Sequence, residues 1–237
     1  QVSHAAIVII GRTAGEEKDN SNVEESYLLS QAERDMLRCV TAHFEKVIVL
    51  LNVGNIIDMK WVAEFDPSAV LYVWQGGQEG GNSVADVIVG NVSPSGKLTD
   101  TIACNITDYP SHPYFGDRNE NCYTEDIYVG YRYFETIPGA ADKVNYPFGF
   151  GLSYTQFELK AEKAWEADGQ ICVDIAVTNT GDCAGKEVVQ VYYSAPQGLL
   201  GKSAVSLAAF KKTKEPVSAT LMSSSDIDSV SVPFPFK

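Results

Sequence analysis

Along the first ninety positions, apolar residues gather in short blocks separated by glycines and polar residues. Ala5 to Ile10 (AAIVII), Lys46 to Asn52 (KVIVLLN) and Ala69 to Trp74 (AVLYVW) have the length of strands. Runs this apolar, bounded by Gly or Asn, predict strands buried on both faces. Between them the apolar period lengthens. Met36, Leu37, Val40 and Phe44 fall on one helical face. Ser30-Gln-Ala-Glu33 just before them is a capping box, in which the hydroxyl and the carboxylate each satisfy an orphan amide. Gly54 and Asn55 turn the chain, and Ile56 to Phe65 is expected to be a short helix stopped by Asp66-Pro67. Gln75 to Gly81 (QGGQEGG) reads as a turn, and Val84, Ala85, Ile88 and Val89 give Asn82 to Val89 a helical spacing. Strand–helix alternation of this kind predicts an α/β fold: a mostly parallel sheet with helices on both faces, a three-layer α/β/α sandwich.

From Asn91 the texture changes. Pro94, Ser95 and Gly96 make a turn, and Asn105 to Asn121 reads as a long irregular loop. Asp126 to Phe134 (DIYVGYRYF) alternates roughly and predicts an edge strand or surface ribbon. Tyr146 to Tyr154 (YPFGFGLSY) sets glycines between aromatics, the pattern of a close backbone approach. A second unit begins near Thr155. Phe157 to Glu166, Gln170 to Asn179 and Lys186 to Ser194 are strand-like and separated by turn residues, which predicts a small β-sandwich. After Phe210 the pattern fades, and the Pro-Phe-Pro-Phe end does not resemble sandwich strands.

Composition narrows the class. The 237 residues carry a net charge of −13, which disfavours a phosphate-tracking role on nucleic acid. No apolar run approaches the roughly 18–20 residues that cross a bilayer as a helix. The chain opens without Met directly before a strand and reads as a fragment or processed piece. Five cysteines (Cys39, Cys104, Cys122, Cys172, Cys183) form no CxxC pair, and three histidines stand alone, so no metal site or cofactor is expected. Reduced, buried thiols and a cytoplasmic rather than secreted protein are the expectation; a Cys172–Cys183 or Cys104–Cys122 bridge stays open.

The chemistry that remains belongs to carboxylates. Gly90 to Leu98 (GNVSPSGKL) has the wrong spacing for a phosphate loop and Leu98 where Mg²⁺ needs a hydroxyl. There is no Gly-x-Ser-x-Gly elbow. Glu16, Glu17, Asp19, Glu24 and Glu25 cluster just after the first strand, beyond whose carboxyl end ligands sit in open α/β sheets. Such a cluster is either a solvated acidic loop or the source of a general acid. Crowding and a covering partner would raise one pKa towards neutrality.

Gly76 to Leu98 (GGQEGGNSVADVIVGNVSPSGKL), with KVIVLLNVGN, YVGYRYF and YPFGFGLSYT in the same order, resembles the C-terminal α/β-sandwich domain of glycoside hydrolase family 3. TNTGDCAGKEVVQVYYSAP is similar to the fibronectin-III-like module that follows it. The resemblance implies an α/β-sandwich domain over residues 1–155, a fibronectin-III-like module over 156–215 and a divergent tail over 216–237. It implies part of a retaining β-glycosidase, β-glucosidase-like, acting on a small β-glucoside or oligosaccharide. The nucleophile, an Asp, would come from a (β/α)8 barrel that this chain lacks, so the chain alone would be inactive. The general acid/base in many members is a Glu in this loop, which points to Glu16 in Thr13-Ala14-Gly15-Glu16-Glu17, with Glu17, Glu24 and Glu25 in reserve. Glu79 is expected to cap the following helix. The rival reading is a non-catalytic carbohydrate-binding or scaffold module, with Trp74, Tyr114, Phe115, Tyr131 and Tyr133 stacking on sugar rings. Homo-oligomerisation is left open.

Overall fold

A computed structural model describes residues 3–13, 19–167, 169–214, 228–231 and 234–235. They form two compact units: Gln1–Ala85, Ile102–Thr124 and Asp142–Tyr146 in the first, and Asp86–Thr101, Glu125–Ala141 and Pro147–Lys237 in the second.

The first unit is built on three parallel strands, β1 (Ala5–Gly11), β2 (Lys46–Asn52) and β3 (Ala69–Tyr72), in the order β1-β2-β3. Helix α1 (Gln31–His43) links β1 to β2, and the short α2 (Lys60–Phe65) links β2 to β3. The capping box at the head of α1 is formed as expected, with Ser30 accepting from the Glu33 amide and Glu33 accepting from the Ser30 amide. In the paired register Val8 lies beside Val49, and Ile10 beside Leu51. All four are buried, and Leu37 of α1 is buried too.

The other face of β1 differs from expectation. Ile7 and Ile9 are 52% and 65% exposed, so β1 is buried on one face rather than both. A strand at one side of the sheet is covered only where a neighbouring layer reaches it, and among the described residues none covers these two. The third helix, α3 (Gly80–Ile88), starts two residues before the expected span. Glu79 stands just ahead of it: its carbonyl accepts from the Ser83 amide and its carboxylate accepts from Asn82 Nδ2, at 2.6 Å. A short antiparallel pair, β4 (Ile102–Ala103) with β5 (Val144–Tyr146), completes this unit.

In the second unit, Asp126–Phe134 is not a strand. Helix α4 (Tyr131–Thr136) occupies its end, entered through Gly130 at φ +60°. The aromatic residues satisfy a helical period as well as an alternating one, and burial of Phe134 decides between them. Strands β6 (Phe157–Ala167) and β7 (Gln170–Asn179) form a long antiparallel hairpin, and β8 (Val188–Tyr193) pairs antiparallel with β9 (Ser206–Lys212). Ile175, Val177 and Val189 are the buried core, flanked by Phe157, Val173, Val191 and Ala209. The end of the chain, expected to lie outside the sheets, instead supplies β10 (Asp228–Ser231) and β11 (Phe234–Pro235), both antiparallel to β7. Their brevity hid them, and proline is tolerated in such an edge position.

All five cysteines are unbridged, and none is buried: Cys39, Cys122 and Cys183 are exposed, Cys104 and Cys172 partly so. The expectation of buried thiols is therefore corrected, and neither bridge left open by the sequence is present.

Candidate active site

Three parallel strands end side by side, and three loops leave from their carboxyl ends. The first loop runs from Arg12 to Ser30 and carries the acidic cluster. Glu16 and Glu17 lie outside the described residues, but the loop is described on both sides of them.

On the near side, the Arg12 amide donates to Asn52 O at the end of β2 (3.1 Å). The Arg12 side chain, only 8% exposed, turns back into the loop. Its Nε donates to Ser26 O, one Nη to Gly11 O and the other to Leu28 O, while both Nη atoms reach the Glu33 carboxylate at 2.5 and 2.8 Å. Burial pushes the Glu33 carboxyl up, but the hydrogen bonds from Arg12 and Ser30 and the Arg12 charge outweigh it and hold the group below the ordinary carboxylate range.

On the far side, Asn20 Nδ2 donates to Ile56 O (2.7 Å), and the Ser21 amide donates to Ser26 Oγ (2.9 Å). The Leu28 amide donates to Val23 O, and the Asp58 amide to Tyr27 O, tying this stretch to the loop after β2. Glu24 is engaged here, its carboxylate accepting from the Gln31 amide at the first turn of α1 (3.2 Å). Glu25 is exposed and holds a left-handed backbone, φ +63°, a conformation that costs a non-glycine residue on the order of 1–3 kcal/mol.

Two further features belong to this rim: Trp74, already a stacking candidate from the sequence, and the Asp58–Tyr27 pair, which sequence reasoning missed. Trp74, two residues past β3, is also left-handed (φ +52°) and rests against Tyr72, ring centroids 4.4 Å apart. Tyr72 is fixed in turn, its hydroxyl accepting from the Ile57 amide and donating to Asn55 O. Asp58 is buried in the loop after β2, and burial raises its carboxyl while Lys60 pulls it back. Tyr27 beside it is pushed up chiefly by burial, with Tyr109 and Asp58 adding to the effect. The only signal for this pair was a polar residue inside an apolar stretch, which has no fixed meaning before the loops are folded.

The other candidate stacking aromatics divide. Tyr131 belongs to the interior of the second unit: it stacks on Phe148 at 4.6 Å, meets Tyr192 edge-on, and its hydroxyl accepts from the Leu207 amide. Tyr133 packs edge-on against Phe134. Tyr114 and Phe115, in the loop after β4, are exposed. Lys97 of the glycine-rich GNVSPSGKL stretch is committed to structure, donating to Gly151 O (2.9 Å) and pairing with Glu187 (2.9 Å). Among the described residues, no group of His, Cys, Asp and Glu is arranged to hold a metal ion.

Comparison with known proteins places this architecture. The model of the glycosyl hydrolase family 3 C-terminal domain matches residues 1–131. A β-glucosidase of Ruminococcus albus is 57% identical over 212 residues, covering 90% of this chain and 22% of the relative. β-Glucosidase A of Butyrivibrio fibrisolvens is 49% identical, covering 79% and 25%. The chain thus spans about a quarter of the length of these curated relatives. Among solved structures, a β-glucosidase from Paenibacillus barengoltzii superposes with a TM-score of 0.88 at 51% identity, over 98% of this chain and 25% of that one. β-Glucosidase 3B from Thermotoga neapolitana in complex with glucose does so at 0.86 and 38%, over 98% and 32%. With its parallel sheet, its loop sequence and these relatives in agreement, the chain belongs to glycosyl hydrolase family 3, of which it carries the C-terminal domain.

Proposed function

We propose that this chain supplies the general acid/base carboxylate of a retaining β-glucosidase, and that the carboxylate is Glu16. The nucleophile, an Asp, comes from a (β/α)8 barrel in the remainder of the full-length protein. The observation that carries the reading is the loop after β1. It leaves the carboxyl end of a parallel strand, the usual place for a ligand in such sheets, and it is pinned on both sides of Glu16, at Arg12 and at Asn20. Glu24 is less suited to the role, because its carboxylate is occupied at the head of α1.

In this mechanism Glu16 begins protonated. It donates its proton to the glycosidic oxygen as the nucleophile attacks the anomeric carbon, and the aglycone leaves. Ionised, it then takes a proton from water, which attacks the glycosyl-enzyme and releases the sugar with retained configuration. A second carboxylate about 5–5.5 Å away is required for that outcome, and the barrel provides it. The isolated chain is accordingly inactive. A solved relative bound to glucose supports a glucoside as substrate.

The test is Glu16→Gln in the full-length protein. Turnover of β-glucosides with poor leaving groups should fall by about 10²–10⁴, with a much smaller loss on activated aryl β-glucosides, where added azide restores turnover. Equal losses on both substrates would overturn the assignment.

A further inference from the structure

We infer that Arg12 and Glu33 are positioning residues for this reaction: their ion pair clasps the base of the loop after β1, the loop to which Glu16 belongs in sequence, and fixes how that loop leaves the sheet. The inference rests on the reading of Glu16 given above, and deepens it.

Arg12 offers five N–H donors in a planar fork. Its contacts occupy that fork: Ser26 O at 3.2 Å, Gly11 O at 2.9 Å, Leu28 O at 3.3 Å, and the two Glu33 oxygens. Gly11 lies at the entry of the loop, and Ser26 and Leu28 lie at its exit. One buried guanidinium therefore stitches the two ends of the loop together. Glu33 fixes the guanidinium in turn. The same carboxylate accepts from the Ser30 amide (2.8 Å), so the clasp is continuous with the first turn of α1, the helix that packs on β1 and β2.

The second anchor is Asn20 on Ile56 O. Glu16 is four residues from Arg12 and four from Asn20, midway between the anchors. Both anchor partners, Asn52 O and Ile56 O, lie on β2 or just beyond it, so both described ends of the loop are held to the same strand and the turn that follows it.

Charge and burial separate this role from substrate binding. The Arg12 guanidinium is nearly buried and its charge is met by Glu33, so it is not free to meet a sugar. What it controls is geometry, and a displacement of about 1 Å at a reacting group can cost 10²-fold in rate. Lysine keeps the charge but cannot make the bidentate pair or reach three carbonyls.

The experiment compares Arg12→Lys, Glu33→Gln and Glu16→Gln in the full-length protein, on β-glucosides ranging from activated aryl to alkyl leaving groups. Rates are expressed per folded active site, counted by trapping the glycosyl-enzyme. Both clasp variants should lose about 10- to 100-fold in kcat on poor leaving groups and less than about threefold on activated ones, with the inhibition constant for glucose unchanged. A loss that is the same for all leaving groups, or no loss per folded site, overturns the inference. If Arg12→Lys does not fold, Glu33→Gln gives the same readout, since its amide oxygen can still accept from Ser30. Leaving-group dependence in Glu16→Gln but not in the clasp variants removes the positioning role and leaves Glu16 standing. Its absence in Glu16→Gln, with the clasp variants behaving as described, removes Glu16 and assigns the clasp to another acid on the same loop.

Discussion

Arg12–Glu33 in the first unit and Lys97–Glu187 in the second are both ion pairs largely withdrawn from water, yet their surroundings differ. Arg12 spends its donors on the two described ends of one loop and on Glu33. Lys97 joins a turn to a strand: it pairs with Glu187 just before β8 and donates to Gly151 O. That second site is packed at backbone level. A Cβ on Gly151 would lie 2.1 Å from Gly96 O, and one on Gly149 would meet the Gln190 side chain. The first pair ties together the two ends of a loop, and the second closes a packed turn against a strand. Planar, multidentate arginine suits the former, and a point-charge lysine the latter.

The comparison can be broken most forcefully in the second unit. Lys97→Met in the full-length protein should destabilise it by about 3 kcal/mol, because Glu187 is left buried without its partner. Urea unfolding would measure this, and the folded fraction should show no leaving-group dependence in its kinetics. If that variant instead lost turnover selectively on poor leaving groups, the division of labour between the two pairs would be wrong.

Acid sharpens the contrast. The folded-state pKa of Glu33 lies below its unfolded value, so the unfolded chain binds the extra proton. The stabilisation it gives is complete above the ordinary glutamate value, near 4.3, and is lost as pH falls through the lowered value. The Tm difference between the parent and Glu33→Gln should therefore be constant near neutrality and begin to shrink below about pH 4.3. A difference that grew with acidity would show that the carboxylate is not stabilised by its partners. The smallest effect is expected at the cap itself. Ser30→Ala removes a side-chain acceptor but not the Arg12–Glu33 contact, and should cost about 1 kcal/mol, with catalysis per folded site nearly unchanged.

Much of the first unit was legible locally. β1 and β2 announced themselves as apolar runs, and Ser30 and Glu33 fixed the start of α1 to the residue, because capping requires only neighbours three apart. Asp126–Phe134 misled because a short aromatic stretch satisfies periods of two and of 3.6, and only the burial of Phe134 selects the helix. β10 and β11 were too short to carry a period, and pairing with β7 defines them. At the candidate site, the resemblance pointed to Glu16 and composition to an acidic loop, but nothing nearby in sequence tied Arg12 to anything.

The sequence by itself determined the parallel α/β unit, the acidic loop at the end of its first strand and membership of the family, since these depend on residue types within a few positions of one another. Tertiary structure decided that Arg12 meets Glu33, twenty-one residues on, that Asn20 reaches Ile56, and that Ile7 and Ile9 are exposed among the described residues. Those outcomes depend on which surfaces meet after the chain has turned back on itself, and no local pattern encodes the distance between groups so far apart along it.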